Sequence, residues 1–119
     1  MGKELNGTWG KIDISKEVLA KLAGIATTEC FGVVGMVSSH IFSDGITELL
    51  GRESLAKGVE IAIKNDELTI KVNVVVSYGT KISVIADNII DNVKYIVEKH
   101  TGLIVKRVDV NIAGVRVVD

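Results

Sequence analysis

Aromatic residues are scarce in this 119-residue chain: Trp 1, Tyr 2 and Phe 2 make up 4% of it. Its core must therefore be aliphatic, and the β-branched residues Val and Ile favour sheet. Cysteine occurs once, so no internal disulfide can hold the fold. Proline is missing altogether, and nothing in the sequence is collagen-like or of low complexity. Neither cations nor anions predominate, with Lys plus Arg at 14 and Asp plus Glu at 15. Nucleic-acid binders usually carry a basic surplus, because phosphate neutralisation supplies most of their affinity. Here only a local group, Lys99, Lys106, Arg107 and Arg116, could supply one. No apolar run approaches the ~20 residues of a membrane span. The opening stretch Met1 to Gly7 is too polar for a signal peptide, and Asn6 stands where myristoylation needs Ser or Thr. One thiol and no export signal make the cytoplasm the expected compartment.

What is present is a chain 47% hydrophobic and 24% charged, a globular composition. With no linker, repeat or composition shift, one domain over residues 1–119 is expected, burying roughly two thirds of its unfolded surface. Gly7 to Ile14 reads as a short strand with Trp9, Ile12 and Ile14 as its apolar members. Ser15 suits a helix N-cap and Glu17 the first turn. Val18, Leu22 and Ile25, widened by Leu19 and Ala26, make the stripe of a helix running to about Cys30 and stopping near Gly32. Val33 to Ser38 reads as a buried strand. Between Ser39 and Lys57, Ile46, Leu49, Leu50 and Leu55 suggest one or two short helices.

The next stretch is the clearest. Val59, Ile61 and Ile63 alternate with Glu60, Ala62 and Lys64. After Asn65-Asp66, Leu68, Ile70, Val72, Val74 and Val76 alternate with Thr69, Lys71, Asn73, Val75 and Ser77. That is a β-hairpin with one buried face, turned by two residues that tolerate positive φ. Thr80 is the expected cap of a long helix with the stripe Ile82, Ile85, Ala86, Ile89, Ile90, Val93, Ile96 and Val97. Lys99, His100 and Gly102 close it, His100 as a capping cation. Leu103 to Ile112 is a strand whose phase slips at Lys106-Arg107, which predicts a bulge there. Gly114 precedes a last short strand, Val115 to Val118. The order β-α-β-(short α)-β-β-α-β predicts an α+β two-layer sandwich, a mixed sheet with two main helices on one face.

The residues carry no catalytic constellation. Cys30 has no base beside it in any Cys/His pattern and reads as a small buried hydrophobe. Glu29, His40 and Asp44 fit no metal-ligand spacing, so neither a metal nor a cofactor is expected. Asp87 and Asp91 read as a solvated helix face. Gly32-Val33-Val34-Gly35 matches the G-x-x-G of KH domains, whose loop clamps a nucleic-acid backbone. Two valines bring no charge to that task, and a helix stop before a strand explains them as well. On the long helix, Val84, Asn88, Asp91 and Tyr95 line up opposite the core stripe as a candidate interaction surface. Ala62, Val75 and Val105 are expected among charges on the outward sheet face, where sheet-face or edge pairing between subunits would occur.

The string Ile25 to Met36 (IATTECFGVVGM) resembles the first signature of the alkaline-shock-protein family, also called the general-stress or envelope-stress-response family of Gram-positive bacteria. Lys57-Gly58-Val59-Glu60-Ile61, Val74 to Gly79, Thr101-Gly102-Leu103 and Val108 to Val115 extend the likeness across nearly the whole chain. The resemblance implies a small cytoplasmic protein without catalytic residues. Some members are linked to cell-envelope stress and held near the membrane by a separate anchored partner, and some self-associate. Lacking long charged extensions, this chain is similar to the short, housekeeping type. The leading expectation is a non-enzymatic, self-associating domain that docks on another protein. The alternatives are a KH-like RNA-binding module and a regulatory subunit of an enzyme encoded elsewhere.

Overall fold

A computed structural model describes residues 3–7, 10–39 and 48–117, with side chains from Ile14 onward. The strand expected over Gly7 to Ile14 is half of a hairpin: β1 (Lys3–Gly7) pairs antiparallel with β2 (Gly10–Ile14) as a separate two-stranded sheet. Trp9, His40, Asp44, Ile46 and Val118 lie outside the described residues.

The rest is the expected α+β sandwich. Helix α1 (Lys16–Thr28) is followed by β3 (Val33–Met36), a 3-10 helix (Arg52–Gly58), β4 (Val59–Lys64), β5 (Glu67–Ser77), helix α2 (Ile82–Thr101) and β6 (Ile104–Arg116). Strand β5 is the centre. It pairs antiparallel with β4 over its first half and with β3 over its second, and parallel with β6 along its whole length. Since β6 fills one edge of β5 throughout, β3 and β4 share the other. The sheet is mixed, and both helices cover one face of it. Leu19, Ala23 and Ala26 of α1, Ile85, Ile89, Val93 and Val97 of α2, and Leu68, Ile70, Val72, Val74 and Val76 of β5 form one buried cluster.

Local chemistry sets the elements. Ser15 Oγ accepts the Val18 N–H at 3.2 Å, capping α1 as expected. Asn65 and Asp66 take φ of 51° and 65°, the left-handed pair that a two-residue hairpin turn requires. Gly102 ends α2 at φ 75°, its N–H bonded to the Glu98 carbonyl. The bulge expected near Lys106 is present: Val105 pairs with Leu68 and Arg107 with Thr69, leaving Lys106 as the extra residue. A second bulge at Ala113 lets β6 run on through Gly114, where a separate last strand was expected.

Several expectations are corrected. Helix α1 turns Leu19, Ala20, Ala23 and Ala26 inward and leaves Val18 and Ile25 exposed. The cause is close approach: a Cβ on Gly24 would lie 3.0 Å from Leu55 Cβ, so the small side of the helix faces in. The helix stops at Thr28, and Cys30 is half-buried rather than buried. The stretch before β4 forms a 3-10 helix, not an α-helix. Thr80 does not cap α2; its hydroxyl donates to the Ser77 carbonyl at 2.6 Å, and Lys81 occupies the cap position.

Ala62 is exposed as expected, but Val75 and Val105 are buried. The Lys106 bulge turns Val105 to the helix side, opposite Leu68. Val75 does face away from the helices. Its pairing partners there are Gly35 and Gly114, and Leu49 lies 3.1 Å from where a Gly35 Cβ would be. Asn73, on the same face, is buried within a polar network. It donates to the Gly58 carbonyl at 3.2 Å and to Ser39 Oγ at 3.4 Å, and it accepts from Asn111 at 2.8 Å.

Candidate interaction surface

Among the described residues the buried cluster holds no aromatic side chain. All three described aromatic side chains are exposed: Phe31 by 79%, Tyr78 by 71% and Tyr95 by 58%. Phe31 sits in the turn after α1 and Tyr78 in the turn after β5. The Ser77 N–H donates to the Gly32 carbonyl at 2.8 Å, which holds these two turns side by side. Gly32 and Gly79 make the turns possible with φ of 87° and 90°. Around them lies a shallow depression of about 370 Å³, bounded by Phe31, Gly32, Val33, Val34, Ser77 and Thr80. Half-exposed Ile82, at the start of α2, adjoins this end of the molecule.

Helix α2 presents Val84, Asn88, Asp91 and Tyr95 outward, as the spacing required; all four are exposed. They are one, two and three turns apart on the side opposite Ile85, Ile89, Val93 and Val97. Lys99 lies over the Tyr95 ring at 5.4 Å from its centroid, close enough to order the ring through a cation–π contact. The end of α1 is tied to this helix. Asn92 Nδ2 donates to the Ala26 carbonyl at 2.7 Å, and the Cys30 thiol contacts the Ala26 and Asn88 carbonyls at 3.4 and 3.7 Å.

The remaining sequence candidates among the described residues fall apart in space or fit no chemistry. Burial pushes the Cys30 thiol up, opposed by a hydrogen bond from Asn92 and aided by the Glu29 charge. It is held as a thiol, the weaker nucleophile. Among the described residues no three His, Cys, Asp or Glu side chains gather as metal ligands. Gly32 opens a turn while Gly35 lies inside β3, paired with Val75, so the pair is not the loop between two helices that a KH grip uses. The basic group is spread out. Arg107 and Arg116 stand nine residues apart on one strand, about 30 Å, and Arg107 is paired with Asp109 at 2.6 Å. Asp87 and Asp91 are exposed, as is His100 in the last turn of α2. Another depression, about 470 Å³ and rimmed by Lys16, Glu17, Lys21, Glu53 and Lys57, opens widely to solvent. No described helix is long and apolar enough to cross a membrane.

The fold and surface thus define a small α+β domain whose distinctive chemistry lies in exposed apolar side chains. The chain belongs to the alkaline-shock-protein family, described as having a cell envelope-related function, whose model matches residues 4–117. It is 44% identical over 117 residues to the uncharacterized protein YloU of Bacillus subtilis, covering 98% of both chains. It is 40% identical to the uncharacterized protein Spy1614 of Streptococcus pyogenes, over 99% of this chain and 98% of that one. The uncharacterized protein YqhY of Bacillus subtilis is 32% identical over 90% of this chain and 78% of its own. No solved structure matches.

Helical spacing picked out the exposed row of α2 but gave no sign that Phe31 and Tyr78 are exposed. Their only signal was the glycine that follows each ring.

Proposed function

We infer that this chain is a non-catalytic protein-interaction domain of the cytoplasm. It self-associates and docks on another protein, membrane-anchored, in envelope-related work. One observation carries the reading: every described aromatic side chain of this aromatic-poor protein lies on the surface. Aromatic side chains cost free energy when left in water and concentrate at interaction hot spots, so their placement outside an all-aliphatic core favours a partner. The family description, cell envelope-related, supports the site of action.

Photo-crosslinking side chains placed singly at Phe31, Tyr78 and Tyr95 in living cells test docking. The expected result is an adduct with one protein, recovered with membranes and lost when a second of these rings is changed to Ser. No adduct from any of the three positions would overturn it. Light scattering across the micromolar range tests self-association, and a strict monomer throughout would reject that part.

A further inference from the structure

Strand β6 is 13 residues long and forms an edge of the sheet: β5 lies along one side of it, and among the described residues no strand pairs with the other. Unpaired strand edges recruit strands unless they are blunted. The start of β6 is fastened, because Glu98 Oε2 accepts the Val105 N–H at 2.9 Å and Lys106 bulges. Its far half carries an unexplained feature. Val115 is 48% exposed near the end of a strand whose Val105 and Val108 are buried and Val110 half-buried, and Val117, just past that end, is 78% exposed.

We propose that two copies of this chain pair antiparallel through the β6 edges, about a two-fold axis between Ile112 and Ala113, making one continuous sheet. The proposal rests on the self-association reading above and assigns it a surface. In this register Asp109, which also pairs with Arg107 of its own strand, turns its other carboxylate oxygen to Arg116 of the second copy, Val110 meets Val115, and Val108 meets Val117. The sides agree. Asp109 and Arg116 pair with Lys71 and Ser77 of β5, on the face away from the helices. Val108, Val110 and Val115 pair with Ile70, Val72 and Val76, on the helix side.

Asp109 and Arg116 are seven residues apart, and in an unbroken strand they would point to opposite faces. The extra residue at Ala113 brings them to the same one. The bulge is therefore what makes the edge self-complementary, with opposite charges on one face and valines on the other. A pairing centred on Val108 would set Arg107 against Asp109 instead. It would also draw in the fastened start of β6 and leave Val115 and Val117 uncovered.

Charge exchange tests the register. Asp109→Arg alone places two arginines across each junction, and Arg116→Asp alone places two aspartates. Each variant should weaken the dimer roughly tenfold or more, since every substitution acts twice across the axis, so that light scattering reads the 12.8 kDa single chain. Mixing the two variants should restore a dimer, because each junction then holds one arginine and one aspartate. Val117→Lys, at a position too exposed to disturb folding, should also give a single chain with an unchanged thermal melt. If the unsubstituted chain dimerises and these variants dimerise equally well, the β6 edge is not the interface and the self-association reading stands without it. If the unsubstituted chain is a monomer, both fall.

Discussion

Asn111 Nδ2 donates to Asn73 Oδ1 at 2.8 Å across the parallel β5–β6 pair, on the face of the sheet that the helices do not cover. Asn73 spends its own amide on the Gly58 carbonyl and Ser39 Oγ. One buried side chain thereby joins β6, β5, the segment after β3 and the end of the 3-10 helix. Among the described residues no buried side-chain N or O lacks a partner, so the polar face is complete as built.

Asn73→Ala should destabilise the fold by about 1–3 kcal/mol, because it strips partners from groups that remain buried. Asn111→Ala removes only one of those bonds, from a less buried position, and should cost about 1 kcal/mol. Urea denaturation of both single variants and the double variant checks this. The expected sign is a double-variant loss smaller than the sum of the singles, since the shared bond is counted twice. Strict additivity would show that the two amides are not coupled.

Gly32 and Gly79 have nearly equal positive φ, but their surroundings differ. A Cβ on Gly32 would lie 2.6 Å from Ile85 Cδ1, whereas one on Gly79 meets nothing within 4 Å. Gly79→Ala should therefore cost only the backbone penalty, about 1 kcal/mol. Gly32→Ala adds a clash with a core side chain and should cost roughly twice that or more. Midpoints of chemical denaturation will rank them, and equal losses would mean that Ile85 moves aside freely.

The Cys30 thiol titrates above its ordinary value, first because burial disfavours the thiolate. Folding therefore favours the protonated form. That contribution is whole below the pKa of the unfolded chain and is lost as pH rises through the folded one. Alkylation of the native chain should lag that of the urea-unfolded chain at every pH up to this range. Cys30→Ser should flatten the part of the alkaline stability loss that belongs to the thiol. Equal alkylation rates in the folded and unfolded chains would contradict the shift.

Much of the architecture was legible because it is periodic. Strict alternation from Val59 to Val76 has only one half-buried reading, and two adjacent residues tolerant of positive φ complete the hairpin. The phase slip at Lys106 was visible for the same reason: a period of two exposes any inserted residue. The α2 stripe names both its buried row and, by subtraction, the outward row of Val84, Asn88, Asp91 and Tyr95. Helix α1 misled because hydrophobicity ranks Val18 and Ile25 above Ala20 and Ala23, while close packing against Leu55 demands the smaller side chains.

Local spacing and composition thus dictated which segments are strands and helices, where the hairpin turns, and that the core is aliphatic. Only the assembled sheet and helices bury Val75 and Asn73 on the far face and stand Phe31 and Tyr78 together in water. The assembled sheet also creates the Ala113 bulge that puts Asp109 and Arg116 on one side of an open edge. Those relationships depend on which strands lie beside one another and in what register. Pairing between residues distant in the chain is fixed by the sheet as a whole, not by the residues on either side.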